Sequence, residues 1–224
     1  YRCKSSVFHY LLDDDPYKWR NILRNYSTLV IDEISMLAEA DKEKILKRFN
    51  KLKIIFCGDI GYQLPPVRGK EFIIGNLPTQ EHTTNHRCKC EKLAKVLKHL
   101  RSLIKDDLEF IDNGKSSYYG LDVIPSDEIN YDMKDMIITA THKQKDFYTE
   151  KYKNQEKYTV LSNSMNYSNG EIIIGPKPEK VHCELRHAFT IHSIQGETAT
   201  ETLFIDMRKM RSVRMMYTAI SRAK

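Results

Sequence analysis

Long apolar runs are missing from this chain. None approaches the roughly 20 residues that a membrane span requires, and the opening Tyr1-Arg2-Cys3-Lys4 lacks the layout of a secretory leader. Cysteine is sparse: five residues, an odd number scattered over 224 positions, do not make a disulfide framework and fit a reducing compartment. No internal repeat and no low-complexity tract occurs. Neither a membrane, a secreted nor a collagenous protein is therefore expected. Charge of one sign is not dominant either. Thirty-six basic against thirty acidic residues leave +6, which suits a polyanionic partner but is equally ordinary in proteins that bind none. What is present is 41% hydrophobic and 29% charged residues, with thirteen tyrosines arguing against disorder. Such a chain can bury the core of one large domain or two small ones.

Hydrophobic patterning points to α/β architecture. Thr28-Leu29-Val30-Ile31 is a β-branched run ending abruptly in Asp32-Glu33, as a fully buried parallel strand would. A helix over 38–50 and a second buried strand over 52–57 complete a βαβ unit, which Gly58-Asp59 breaks off. A helix over 91–104 carries Leu93, Leu97, Leu100 and Ile104 on one face. Residues 105–131 read as connecting segments. Beyond them come a buried strand over 136–140, a charged helix over 143–153, a hairpin turning at Asn169-Gly170, a strand over 203–206 and a helix over 213–223. Two α/β domains result, at 1–80 and 81–224, with a small β insertion near 158–185; ligands of such sheets sit at strand C-termini or between domains.

Four groups of residues carry chemistry. Asp32-Glu33 at a sheet edge suits a Mg²⁺ held by one carboxylate while the other polarises a water; it is equally the acid pair of a helix N-cap. Gly58-Asp59-Ile60-Gly61-Tyr62-Gln63-Leu64-Pro65-Pro66-Val67 is a loop leaving a parallel strand, with Gln63 placed to sense a phosphate or position water. Residues 190–198, from Thr190 to Thr198, set hydroxyl, imidazole and amide groups ahead of Gly196. Tyr217-Thr218-Ala219-Ile220-Ser221-Arg222-Ala223 offers one arginine, the residue suited to phosphoryl-transfer charge. On helical phase Val213, Met216 and Ile220 should be buried and Arg222 should project off that face.

Taken in order, these segments resemble the superfamily 1B helicases of the RecD-like and PIF type, over essentially the whole chain. Val30-Ile31-Asp32-Glu33-Ile34-Ser35-Met36 is similar to motif II, and Gly58-Asp59 with Gln63-Leu64-Pro65-Pro66-Val67 to motif III. Asn85-His86-Arg87 resembles motif IV, residues 190–198 motif V, residues 217–223 motif VI, and Ser6-Val7-Phe8-His9-Tyr10-Leu11 motif Ia. The resemblance implies two RecA-like parallel-sheet domains, ATP and Mg²⁺ as cofactors, and single-stranded DNA and duplex junctions as partners. Asp32 would coordinate Mg²⁺ and Glu33 would activate water. Gln63 would sense the γ-phosphate, which Arg87 and Arg222 would reach from the second domain. Gly58, Asp59, Gly196 and Glu197 would lie near the nucleotide, and His9, Pro65, Thr190, His192 and Ser193 would face the DNA.

The pattern has departures. No G-x-x-x-x-G-K-[ST] loop is present: Gly114-Lys115-Ser116 has Glu109 where the first glycine belongs and follows motif II. The chain is therefore expected to start inside its first domain, just past the phosphate loop, and to be inactive alone. Residues 12–28 leave little room for a strand-separating pin, Ser193 replaces the usual lysine, and the insertion at 158–174 is small for an SH3-like subdomain. His82, His86, Cys88 and Cys90 crowd together, but Cys88-Lys89-Cys90 is too tight for zinc. Cys57 reads as core, Trp19 as packing rather than base stacking with Tyr17 and Tyr26, and Asp13-Asp14-Asp15 as a helix cap; residues 42–53 read as a wet helix face. The expectation is the ATPase motor of a 5′-to-3′ DNA helicase in replication, recombination or repair, possibly fused to or complexed with other replication domains and without a membrane. It would work in the nucleus or cytoplasm, or at a viral replication site. The alternatives are a degenerate, non-catalytic nucleic-acid-binding subunit and an RNA helicase.

Overall fold

The computed structural model describes residues 9–84, 88, 90–106, 117–118, 121–125, 127–162, 164, 166–167, 170–199 and 201–224. The chain divides into two compact units, 1–82 and 83–224. Among the described residues no helix is long and apolar enough to cross a membrane.

In the first unit a short α1 (His9–Leu12) precedes α2 (Pro16–Asn25). Asp15 starts α2 as its N-cap, its carboxylate accepting the Tyr17 N–H at 2.9 Å, and Pro16 sits where no donor is needed. Asp14 is paired with Lys44 and Arg48, each at 2.9 Å. The helix lays Trp19, Ile22 and Leu23 on the core. β1 (Thr28–Ile31) and β2 (Lys53–Phe56) pair in parallel, Leu29 opposite Ile54 and Ile31 opposite Phe56. Between them lie a 3-10 turn, Ile34–Met36, and α3 (Glu39–Arg48), with Glu39 and Asp41 in its first turn and Lys47 and Arg48 in its last, as the helix dipole favours. Ile45 and Phe49 are wholly buried with Leu11, Ile31, Ile34, Leu37 and Phe72.

Three expectations are corrected here. The strands are not buried on both faces: Leu29, Ile31, Ile54 and Phe56 meet the core, while Val30 is 59% exposed and Ile55 also faces outward. Strand side chains alternate, and among the described residues only one face of this pair is covered. Lys42 is not wet. Its ammonium bonds Glu39 and the Ile73 carbonyl, each at 2.6 Å, and lies over the Phe72 ring, because the segment after the motif III loop crosses α3 there. Cys57 is half-buried rather than core.

The second unit opens with α4 (Glu91–Lys105), whose Leu93, Val96, Leu97 and Leu100 are buried. Two short strands follow, β3 (Ser117–Tyr118) and β4 (Leu121–Asp122), antiparallel to each other. The body is a three-stranded parallel sheet of β5 (Met136–Thr139), β9 (Ala188–Thr190) and β10 (Leu203–Ile205), ordered β10-β5-β9. β5 is central and buried along its length, the position a continuous apolar run suits. α5 (His142–Lys151) begins at Thr141, whose hydroxyl accepts the Gln144 N–H. The insertion is an antiparallel sheet of β6 (Lys157–Val160), β7 (Ile172–Ile174) and β8 (Cys183–Leu185), with β6 in the middle. α6 (Val213–Ile220) closes the unit against α4, capped by the Ser212 hydroxyl.

The insertion is tied to the parallel sheet by buried polar groups. Lys157, 1% exposed at the head of β6, donates to the Tyr131 hydroxyl at 3.1 Å and to the Asp135 carbonyl at 2.5 Å. Tyr131 in turn meets His187 Nδ1 at 3.1 Å, and His187 Nε2 donates to the Gln155 carbonyl at 3.0 Å. Burial pushes the Lys157 ammonium down to about 8 and holds His187 below the ordinary imidazole value.

Candidate nucleotide and nucleic-acid site

In the first unit the acid pair sits where β1 stops. Glu33 turns the chain with φ 53° and ψ 44°, a left-handed conformation unusual for a residue with a Cβ. Asp32 stabilises that turn by accepting the Glu33 N–H at 2.8 Å, and its carboxylate stays exposed. The turn is then fastened to the end of β2: Ile34 N–H donates to the Cys57 carbonyl at 3.1 Å, and Cys57 N–H to the Ile31 carbonyl at 2.8 Å. The pair is thus not a side-chain cap, since neither the 3-10 turn nor α3 takes a side-chain hydrogen bond at its N-cap.

Gly58 makes this fastening possible. A Cβ there would stand 2.8 Å from the Ile34 nitrogen and 2.9 Å from Ile34 Cγ1, inside any normal contact. The geometry therefore brings Asp32-Glu33 and Gly58-Asp59 together. Asp59 then accepts the Gln63 N–H at 3.2 Å, folding the loop so that Gln63 is only 7% exposed. Its Oε1 is buried without a hydrogen-bond partner, as is the Ser35 hydroxyl of the acid turn. Buried polar atoms are rarely left unpaired, and where they are a bound group often completes them. Pro65 is half-buried at the exit of the loop.

These donors suit a nucleotide-bound Mg²⁺. That ion takes one or two carboxylates and leaves its other positions to water and phosphate. Asp32 supplies such a carboxylate, and no cluster of three His, Cys, Asp or Glu that would make a dedicated metal cage occurs among the described residues. In the crowded His/Cys segment Cys88 Sγ donates to the Cys90 carbonyl, and His86 lies outside the described residues.

In the second unit β9 delivers Thr190 to a 3-10 turn, Ile191–Ile194. The Thr190 hydroxyl donates to Ser193 Oγ at 3.1 Å, and Ser193 Oγ donates to the Thr190 carbonyl at 2.9 Å. Thr190 is buried, Ser193 exposed and His192 half-buried, with burial holding its imidazole below the ordinary value and so neutral. Gly196 and Glu197 follow in an exposed turn, Gly196 at φ 88°.

Arg222 departs from expectation. It is 1% exposed, not projecting from a helix. α6 ends at Ile220, so helical phase no longer governs residue 222, and the Arg222 N–H closes a turn onto the Ala219 carbonyl. The guanidinium then lies on the segment after the 3-10 turn, Nε and Nη2 donating to Ser221 Oγ and Nη1 to the Glu197 carbonyl at 3.4 Å, while Ala199 N–H donates to the Arg222 carbonyl. The segments carrying Thr190–Thr198 and Tyr217–Ala223 are thereby joined into one site. Arg87 and the side chain of His9 lie outside the described residues. Ser35 carries no functional signal in the sequence; its burial and unpaired hydroxyl alone mark it.

No family model matches the chain, and no curated protein matches it. Solved structures do. A Pif1 helicase from Bacteroides in complex with ADP-AlF3 and single-stranded DNA is 18% identical, matches 100% of this chain and 72% of that chain, and superposes with a TM-score of 0.65. Bacteroides Pif1 bound to single-stranded DNA is 16% identical over 100% and 72% of the two chains, TM-score 0.69. The Pif1 helicase of Candida albicans is 15% identical over 93% and 73%, TM-score 0.63. With its parallel sheets and a match along its whole length, the chain has the α/β fold of these Pif1 helicase structures.

Proposed function

We propose that this chain belongs to a 5′-to-3′ DNA helicase that couples ATP hydrolysis to movement along a single strand, in replication, recombination or repair. The observation that carries the reading is the acid turn fastened to Gly58, with the Gln63 Oε1 buried and unpaired beside that loop. Magnesium, when bound with the nucleotide, supplies charge neutralisation at the β- and γ-phosphates. The residues around it have separate tasks. Asp32 holds the ion; Glu33, locked in its left-handed turn, orients and deprotonates the attacking water. Gln63 senses the γ-phosphate through that water, which can donate to its unpaired Oε1, and its loop thereby responds to hydrolysis. Gly58 and Asp59, with Gly196 and Glu197, border the nucleotide, and Arg222 and Arg87 offset the charge of the transferring phosphoryl group. Thr190, His192 and Ser193, together with His9 and Pro65, contact the strand. The neutral imidazole of His192 would act there by hydrogen bonding and stacking rather than by charge. One Pif1 structure that this fold resembles holds ADP-AlF3 and single-stranded DNA, which supports both ligands here.

The test is Glu33→Gln in the intact protein. We expect nucleotide and strand binding to persist and hydrolysis to fall by orders of magnitude, since only the water-activating carboxylate is removed. Turnover near that of the wild type would sink the reading.

A further inference from the structure

Helix α2 contains three basic residues, Lys18, Arg20 and Arg24, and no acid. The three aspartates before it are engaged elsewhere: Asp15 caps the helix, Asp14 pairs with Lys44 and Arg48, and Asp13 accepts the Asp15 N–H. At 100° per residue Trp19, Ile22 and Leu23 share the core face, while Tyr17, Arg20, Asn21 and Arg24 fall together on the opposite one. That second face is exposed, and Tyr17 is 84% exposed although it is a large aromatic. No described carboxylate forms an ion pair with Arg20 or Arg24 within 4 Å, and the Arg20 guanidinium is steadied over the Trp19 ring at 5.6 Å from its centroid. The helix dipole accounts for Arg24 in the last turn. It does not account for Arg20 in the middle or for an open tyrosine ring.

We infer that this face of α2 is a contact surface for single-stranded DNA, Tyr17 stacking on a base while Arg20 and Arg24 hold adjacent phosphates. The inference rests on the helicase reading and adds to it a binding element outside the motif segments. Charge complementarity names the occupant: an aromatic platform flanked by unpaired guanidinium groups is the pairing that single strands select. Asn21 and Asn25, joined through the Asn25 amide to the Asn21 carbonyl at 2.8 Å, add neutral hydrogen-bonding groups beside them.

The experiment is titration of the full chain with fluorescein-labelled oligo-dT over a series of salt concentrations. Arg20→Ala with Arg24→Ala should make the slope of log K against log salt shallower by about 1.4, two single-strand phosphate contacts at ~0.7 each. Tyr17→Ala should weaken binding by about tenfold at fixed salt, and Tyr17→Phe should retain it. Because these side chains are exposed, the melting temperature should move little. Lys47→Ala with Lys51→Ala, on exposed residues of the same unit, removes equal charge and should leave the slope unchanged. If wild type binds oligo-dT and the α2 variants bind with the same slope and affinity, this surface is refuted and the helicase reading stands. If the lysine control loses as much slope, net charge alone is at work and the surface is likewise refuted. If wild type fails to bind any single strand, both readings fall.

Discussion

At Gly58 one methyl group decides the geometry of the acid turn. Gly58→Ala would push a Cβ against the Ile34 backbone nitrogen at 2.8 Å, and backbone cannot swing aside as a flexible side chain can. We expect destabilisation of roughly 1–3 kcal/mol, the usual cost of overpacking, together with loss of ATP turnover as Asp32-Glu33 shifts; urea unfolding and a hydrolysis assay read the two effects. On the proposed function, Arg222 has a catalytic duty besides its structural one. Its guanidinium is buried on Ser221 and the Glu197 carbonyl, so Arg222→Lys should lower the melting temperature as well as reduce turnover by orders of magnitude, because lysine keeps the charge but not the planar fork. Turnover within a few-fold of wild type would leave Arg222 a structural residue only.

At the scale of elements, the joint between the β6–β8 insertion and the parallel sheet titrates. Lys157 is pushed down to about 8 by burial, so the unfolded chain binds more protons than the folded one from pH 8 to ~10.4, its free value. Stability should therefore rise with pH across that window. Tyr131 and Tyr148, both raised by burial, oppose the trend once unfolded tyrosine ionises near pH 10. On the acid side His187 is held neutral, so stability should fall as pH drops through ~6.5. Denaturant melts from pH 6 to 10 check both limbs, and Lys157→Met should flatten the alkaline one. The elements themselves were unequally legible. β1, α3, β2, α4 and α6 announce themselves by apolar period, whereas β8 and β9 are three residues each and carry no periodic signal. β9 is recognisable only by its pairing with β5, Phe189 opposite Ile138.

For the whole molecule, the reading demands polarity of movement. A motor of this kind should unwind a duplex bearing a 5′ single-stranded tail and leave the 3′-tailed duplex intact. Paired assays on the two substrates, DNA and RNA, would measure this, and equal unwinding of the 3′-tailed duplex would contradict the direction. On the proposed function, salt should weaken strand binding, since each phosphate contact releases counterions.

The sequence by itself determined the α/β class and the order of the chemical segments, because a βαβ unit and an acid pair after an apolar strand are local patterns written in consecutive residues. It also determined which polar and charged residue types those segments carry. The tertiary structure alone decided where they lie and what they touch. Val30 lies open because strand burial depends on what covers each face, and no run of apolar letters reports that. The Gln63 Oε1 is buried and unpaired because its loop folds back on Asp59. Arg222 is buried because α6 stops two residues before it and a turn bonded to Ala199 takes over. Each of these depends on contacts between segments distant in the chain, and helical or strand period carries information only about neighbours.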